Sequence, residues 1–227
     1  GLSSATRSVI NDLGIKHTIV LGGSLVISNK VISDLKSISG MKVERLAGDT
    51  RQDTQMLIYE YGKTKVKGAA WSSPTVAITS GYRFPDALSF SPLAYRDHVP
   101  VFLVDSWGNL TSKQKQVLTA AKYREPVVLG GNLVVSNATL SFANSLANQA
   151  GNSKGATHLA GETQYDTSSD IASWLVSNKG FSWNKVAFTT GNLPYDALTG
   201  SVLQGKQGSV IVVTDHAYDA GVTAASA

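Results

Sequence analysis

Cysteine is absent from the 227 residues. That excludes disulfide staples, thiolate zinc sites and cysteine nucleophiles, and it suits an exported chain that avoids stray disulfides. Charged residues make up only 16% of the chain against 42% hydrophobic, so a core can form and a disordered chain is excluded as the main state. No apolar run approaches the roughly 18–20 residues of a membrane helix, so no membrane span is expected. The opening GLSSATRSVI lacks a basic-then-apolar export pattern; any such signal is expected to be removed or to lie outside this segment. The net charge of +4 leans mildly towards anionic partners. The densest basic stretch, Lys63, Lys65 and Lys67, reads as a solvated loop, so no nucleic-acid partner is expected.

Signatures of catalysis and of cofactors are also missing. His17, His98, His158 and His216 have no metal-ligand spacing, and no H-E-x-x-H or G-x-S-x-G occurs. The glycine pairs lack the G-x-G-x-x-G dinucleotide pattern. A near-match to a phosphate loop at Gly200–Gln207 lacks the magnesium-holding Ser/Thr and precedes a strand instead of following one. No cofactor and no catalytic set is therefore read. Trp71, Trp107, Trp174 and Trp183 have the chemistry to stack on sugar rings, but packing is the preferred reading.

What is present is an internal repeat. HTIVLGGSLVIS (17–28) matches EPVVLGGNLVVS (125–136), RLAGDTRQDT (45–54) matches HLAGETQYDT (158–167), and GYRFPDALS (81–89) matches GNLPYDALT (191–199). PVFLVD (100–105) likewise matches SVIVVTD (209–215), and ATRSVINDLGI (5–15) lies over KQKQVLTAAKY (113–123). The order is conserved between copies, so one unit of about 110 residues occurs twice. The two copies span 1–109 and 110–227. In the alternative phase, 1–43 is the tail of one module, 44–150 a whole module and 157–227 the head of the next. The Asn/Gly/Ser-rich stretch 148–156 is the candidate boundary loop.

Short β-branched runs without polar alternation predict strands covered on both faces. They are Thr18–Leu21, Val43–Leu46, Thr75–Thr79 and Val101–Val104, then Val127–Leu129, Thr157–Leu159, Val186–Thr189 and Val210–Val213. Helical stretches such as Val31–Ile38, Thr54–Tyr61, Ala87–Tyr95 and Lys113–Ala121 separate them. The expected fold is α/β: tandem modules, each an open, mostly parallel sheet flanked by helices.

The repeated polar residues sit where helices begin. Thr50 with Asp53, and Thr163 with Asp166, have capping-box spacing. Asp86 and Asp196 read as N-caps, and Ser28 and Ser136 as caps after the glycine turns. Arg51 stands at a helix start and Arg83 in a strand–helix loop, where anions are favoured in parallel α/β sheets. Gln164 and Leu193 replace them in the second copy.

The ordered set RLAGDTRQDT, GYRFPDALSFSPLA, PVFLVD and VVLGGNLVVS resembles the type 2 cell-wall-binding repeat family of Gram-positive surface proteins, over nearly the whole chain. The resemblance implies modules that occur in threes, assemble as pseudo-threefold trimers and hold a protein non-covalently on an anionic secondary wall polymer. It implies an extracellular, cell-wall location and further copies of the module as partners. Arg45, Gly48, Asp49, Arg51 and Thr54 match the family's R-L-x-G-x-x-R-x-x-T pattern. On this basis the expected polymer-binding residues are Arg45, Arg51, Arg83 and the strand Pro100, Val101, Phe102 and Leu103. Arg51 and Arg83 follow strands and are expected to converge along one sheet edge, whereas Arg45 sits within its strand and is expected to be partly covered. The expected function is wall anchoring without catalysis. The alternatives are a structural or adhesive surface-array module with a protein partner, and a doubly wound enzyme.

Overall fold

A computed structural model describes residues 1–66 and 71–215; Lys67 and His216 lie outside the described residues. The fold is α/β, and every strand pairing among the described residues is parallel. The chain divides into two compact units, Gly1–Tyr61 and Gly62–Ala227. The first contains α1 (Ser4–Asp12), β1 (His17–Leu21), α2 (Asn29–Lys36) and β2 (Lys42–Leu46), and α3 (Arg51–Lys65) begins in it. β1 and β2 pair in parallel, with Val20 opposite Arg45 and Leu21 opposite Leu46.

The second unit runs β3 (Thr75–Ser80), α4 (Pro85–Arg96), β4 (Val101–Val104), α5 (Ser112–Ala121), β5 (Glu125–Leu129), α6 (Asn137–Gln149), β6 (Thr157–Leu159), α7 (Gln164–Lys179), β7 (Ser182–Thr189), α8 (Tyr195–Gln207) and β8 (Ser209–Val213). Four strands form one sheet in the order β4-β3-β5-β6, and β7 pairs with β8 in another. β6, which opens the second RLAGD-type motif, thus completes the sheet of the strands before it. β2 stands in the same relation to β1.

All six residues of β3 are buried, which explains its unbroken apolar run: a central strand covered on both faces has no solvent side to alternate towards. One core gathers Ala77, Val127 and Leu129 of the sheet, Phe90 and Leu93 of α4, Ile171, Ala172 and Leu175 of α7, and Val210 and Val212 of β8. Small polar residues let these layers approach. The Ser89 and Ser168 hydroxyls are 2.9 Å apart, and Ser168 Oγ accepts the Val213 N–H at 2.8 Å.

The repeated helix-start motif is a cap in both copies. Thr50 Oγ1 accepts the Asp53 N–H at 3.1 Å while Asp53 Oδ2 accepts the Thr50 N–H at 3.1 Å. Thr163 and Asp166 repeat this at 3.2 and 3.0 Å. Aspartate is short for this role, so the chain must come close, and glycine permits it. A methyl group on Gly48 would stand 2.3 Å from Asp53 Cβ, and one on Gly161 2.2 Å from Asp166 Cβ. Thr54 and Thr167 finish the corner by accepting the Gly48 and Gly161 N–H groups, each at 3.0 Å.

Three expectations change. Asp86 and Asp196 are not N-caps: Pro85 takes the first position of α4, Pro194 precedes α8, and neither helix start has a side-chain cap bond. A proline there needs no cap for its missing N–H. Ser136 does cap α6 through the Thr139 N–H at 3.2 Å, whereas Ser28 occupies the cap position of α2 without a side-chain cap bond. Lys63 and Lys65 lie in the last turn of α3, not in a loop, where cations favour the helix dipole.

Candidate functional site

In the four-stranded sheet, the chain leaves β3 for β4 on one side, returns past β3 to β5, and continues outward to β6. Right-handed crossovers therefore put α4 on one face and α5 and α6 on the other. The direction reverses between β3 and β5, and open parallel sheets bind ligands in the crevice at the carboxyl ends of two such strands. Among the described residues, this is the one switch point with both of its strands present.

Three loops form this rim. After β3, Ser80 Oγ accepts the Tyr82 and Arg83 N–H groups at 3.1 and 3.3 Å, a tight turn that leaves Arg83 exposed. The Arg83 guanidinium makes no hydrogen bond or ion pair among the described residues. After β4, Asp105 Oδ1 accepts the Trp107 and Asn109 N–H groups at 2.9 and 2.8 Å, and Trp107 is left 83% exposed. After β5 comes Gly130, at φ +99°, then Gly131 with open space around its Cα.

Asp86 closes the crevice from the first turn of α4. It is only 6% exposed, and its carboxylate has no hydrogen-bond partner among the described residues. A methyl group on Gly130 would lie 2.7 Å from Asp86 Oδ2, so the glycine is needed for its backbone angle and for the carboxylate. Burial pushes the Asp86 carboxyl up to about 6, against the opposing pull of the Arg83 guanidinium. Asp196, the matching residue of α8, is exposed, since no β5-type turn covers it among the described residues.

The expected polymer-binding residues fall into different environments. Arg45 is part-buried and donates to the Gly22 carbonyl at 2.6 Å and the Ile27 carbonyl at 2.8 Å. His158, its counterpart, holds the Gly130 carbonyl at 3.0 Å through Nε2. Both residues clamp the glycine turn of the preceding strand. Arg51 is exposed at the first position of α3. Arg45 and Arg51 belong to the first unit and Arg83 to the second.

Pro100, Val101, Phe102 and Leu103 build the sheet. Phe102 is fully buried and Pro100 is buried, while Val101 and Leu103 are half-buried. The Pro100 carbonyl accepts the Ala77 N–H at 3.0 Å, and the Leu103 carbonyl accepts from Gln114 Nε2 at 3.0 Å. Pro100 and Arg83 stand at opposite ends of their neighbouring strands. Three tryptophans pack as expected: Trp174 stacks on Phe90 at 6.4 Å, and Trp71 and Trp183 are half-buried. Trp107 and Asp86 are the rim residues to which sequence reasoning gave other roles, packing for the one and capping for the other. For Trp107, the signal was its place two residues after Asp105, the first residue past β4.

Comparison with known proteins agrees with this architecture. The profile of the family described as Cell wall binding domain 2 (CWB2) matches residues 45–140 and 158–226. The N-acetylmuramoyl-L-alanine amidase LytC of Bacillus subtilis (strain 168) is 29% identical over 147 residues, which are 65% of this chain and 26% of the amidase. The amidase enhancer of the same organism is 25% identical over 211 residues, 93% of this chain and 26% of the enhancer. This chain thus spans about a quarter of the length of either relative. Two solved structures share the fold. Cwp6 from Clostridium difficile aligns over 96% of this chain and 32% of its own, with a TM-score of 0.78 and 22% identity. Cwp8 from the same organism aligns over 94% and 34%, with a TM-score of 0.75 and 23% identity.

Proposed function

The chain belongs to the Cell wall binding domain 2 family and is a cell-wall-binding surface module; from that premise we propose that it anchors non-catalytically by holding an anionic secondary wall polymer. The observation that carries this reading is Arg83, an exposed guanidinium with no hydrogen bond or ion pair among the described residues, at the mouth of the β3–β5 switch-point crevice. Arg51, exposed at the start of α3 in the first unit, is a separate cationic contact for the polymer. Arg45 contributes by fixing the turn that its hydrogen bonds clamp. Pro100 to Leu103 contribute by building the edge strand β4, next to β3.

A polyanion held by such cations releases counterions on binding, so affinity falls steeply with salt. Arg83→Ala is expected to weaken binding to immobilised wall polymer about tenfold or more, the scale of one charge-assisted contact. The log–log salt slope should become shallower by roughly one counterion. Surface plasmon resonance over a salt series measures both. Unchanged affinity and slope would remove Arg83 from the binding set, and with it the main support for the anchor.

We also infer that further copies of the module are partners, as neighbouring repeats. α8 leaves Leu198 56%, Val202 49% and Leu203 53% exposed. Their counterparts in α4 are Leu88, Pro92 and Leu93, which are buried against the helices and strands around them. An apolar face that one copy covers and the next leaves open supports a neighbour of the same kind. The strand pairing crosses both boundaries of the 44–150 reading, since β2 pairs with β1 and β6 with β5; the four-stranded sheet runs from β3 to β6.

A further inference from the structure

The anchor reading needs a cation; it does not account for a buried carboxylate beside that cation. Asp86 is more than nine-tenths buried, and its oxygens take no hydrogen bond within the chain among the described residues. Such a group costs stability unless a donor reaches it. Thr79, on the same face of β3 as the core residue Ala77 and one residue before the strand's last, is fully buried and its hydroxyl is also unpartnered. Thr79, with no exposed surface, lies out of a ligand's reach; what the rim offers is the Asp86 carboxylate, without a donor from the described residues, beside the exposed Arg83 guanidinium.

The surrounding features narrow the ligand. An acceptor with no donor calls for O–H or N–H groups. Arg83 beside it calls for a negative charge on the same ligand or the next unit. Gly131 leaves open space at the β5 side, and Trp107 on the adjacent loop offers an exposed ring face, the kind of surface on which sugar rings stack. A bare anion satisfies only the arginine. A polyhydroxylated unit carrying an anionic group satisfies both.

We propose that the crevice between the carboxyl ends of β3 and β5 is a saccharide subsite. In it, Asp86 accepts hydroxyl hydrogen bonds from a sugar whose anionic group lies on Arg83. The proposal rests on the anchor reading and deepens it: the polymer is recognised as an anionic sugar, not as charge alone. Asp86 here is a binding residue, and its carboxylate gives the site selectivity over simple anions.

The test is two-dimensional amide NMR of the whole chain titrated with glucose 6-phosphate and glucuronate. Inorganic phosphate and acetate serve as anion-only controls, and glucose as the uncharged one. At least one sugar anion is expected to move the Gly81, Arg83, Gly130 and Gly131 amides with an affinity tenfold or more above its matching simple anion. Asp86→Asn should erase that tenfold gain while leaving the simple anion bound, and Arg83→Ala should lose both. A thermal melt of Asp86→Asn checks that the variant is folded.

Sugar anions that bind no better than simple anions, or a gain that survives Asp86→Asn, would overturn the subsite. The two readings fail separately. If the subsite falls while Arg83→Ala still weakens polymer binding, the anchor stands as a charge-only site. If Arg83→Ala leaves polymer binding intact, the anchor reading itself falls.

Discussion

Asp86→Asn is expected to make the protein more stable at neutral pH. The carboxyl titrates at about 6 in the fold against 3.8 as the reference value, because burial disfavours its charged form. A folded-state value raised above the unfolded one means the native state holds the proton more tightly, so stability from this group is full below about pH 4 and is lost as pH rises through 6. The linked difference is about 3 kcal/mol between those limits. Asparagine fills the same space without a charge, so the variant should gain on the order of 2–3 kcal/mol at pH 7.5 and lose this component of the pH dependence. Urea unfolding at pH 4.5, 6 and 7.5 measures it. A variant that is less stable than the parent at pH 7.5 would mean that the ionised carboxylate has a stabilising partner. Stability rising on removal of a buried charge, together with loss of ligand binding, is the trade-off expected of a binding residue.

The second large effect concerns the core. Phe90 has no exposed surface and sits in α4 among Leu93, Ile171, Leu175 and Val212, stacked on Trp174. Phe90→Ala removes that ring from the junction of α4, α7 and β8, and the cavity left behind adds to the lost burial. The expected cost is about 3–5 kcal/mol, read by chemical denaturation. A cost under about 1 kcal/mol would mean that α4 and α7 collapse onto one another without the ring. The second repeat tolerates the opposite choice: Gly200 stands where Phe90 does, and a methyl group there would meet nothing within 4 Å.

Much of this was legible in the sequence. The strand Val101–Val104 was readable to the residue, because it is a bounded apolar run with no other periodicity; Thr157–Leu159 matched as well although His158 in it is exposed. The capping boxes at Thr50 and Thr163 were readable because capping is local chemistry. Pairing was harder. Sequence order does not say that β6 joins β5, and the repeat phase depends on that choice.

The site was less legible still, since its chemistry is made by contacts between distant segments. Asp86 resembles a cap until Gly130 is brought over it by the β3–β5 register. Arg45 resembles an anion ligand until that of β1 and β2 sets it beside the Gly22 carbonyl. His158 looked like the loss of a basic residue, yet its Nε2 donates to the same kind of carbonyl with a shorter side chain. The exposure of Arg83 was legible from its loop alone, because a long cation in a strand–helix turn has few internal partners to find.

The central claim is that this module grips wall polymer by charge. Co-sedimentation with purified Gram-positive cell walls, before and after acid stripping of secondary polymers and at low and high salt, tests it directly. The account predicts binding to intact walls that weakens with salt and disappears on stripping. Equal binding to stripped walls, or binding indifferent to salt, would contradict it.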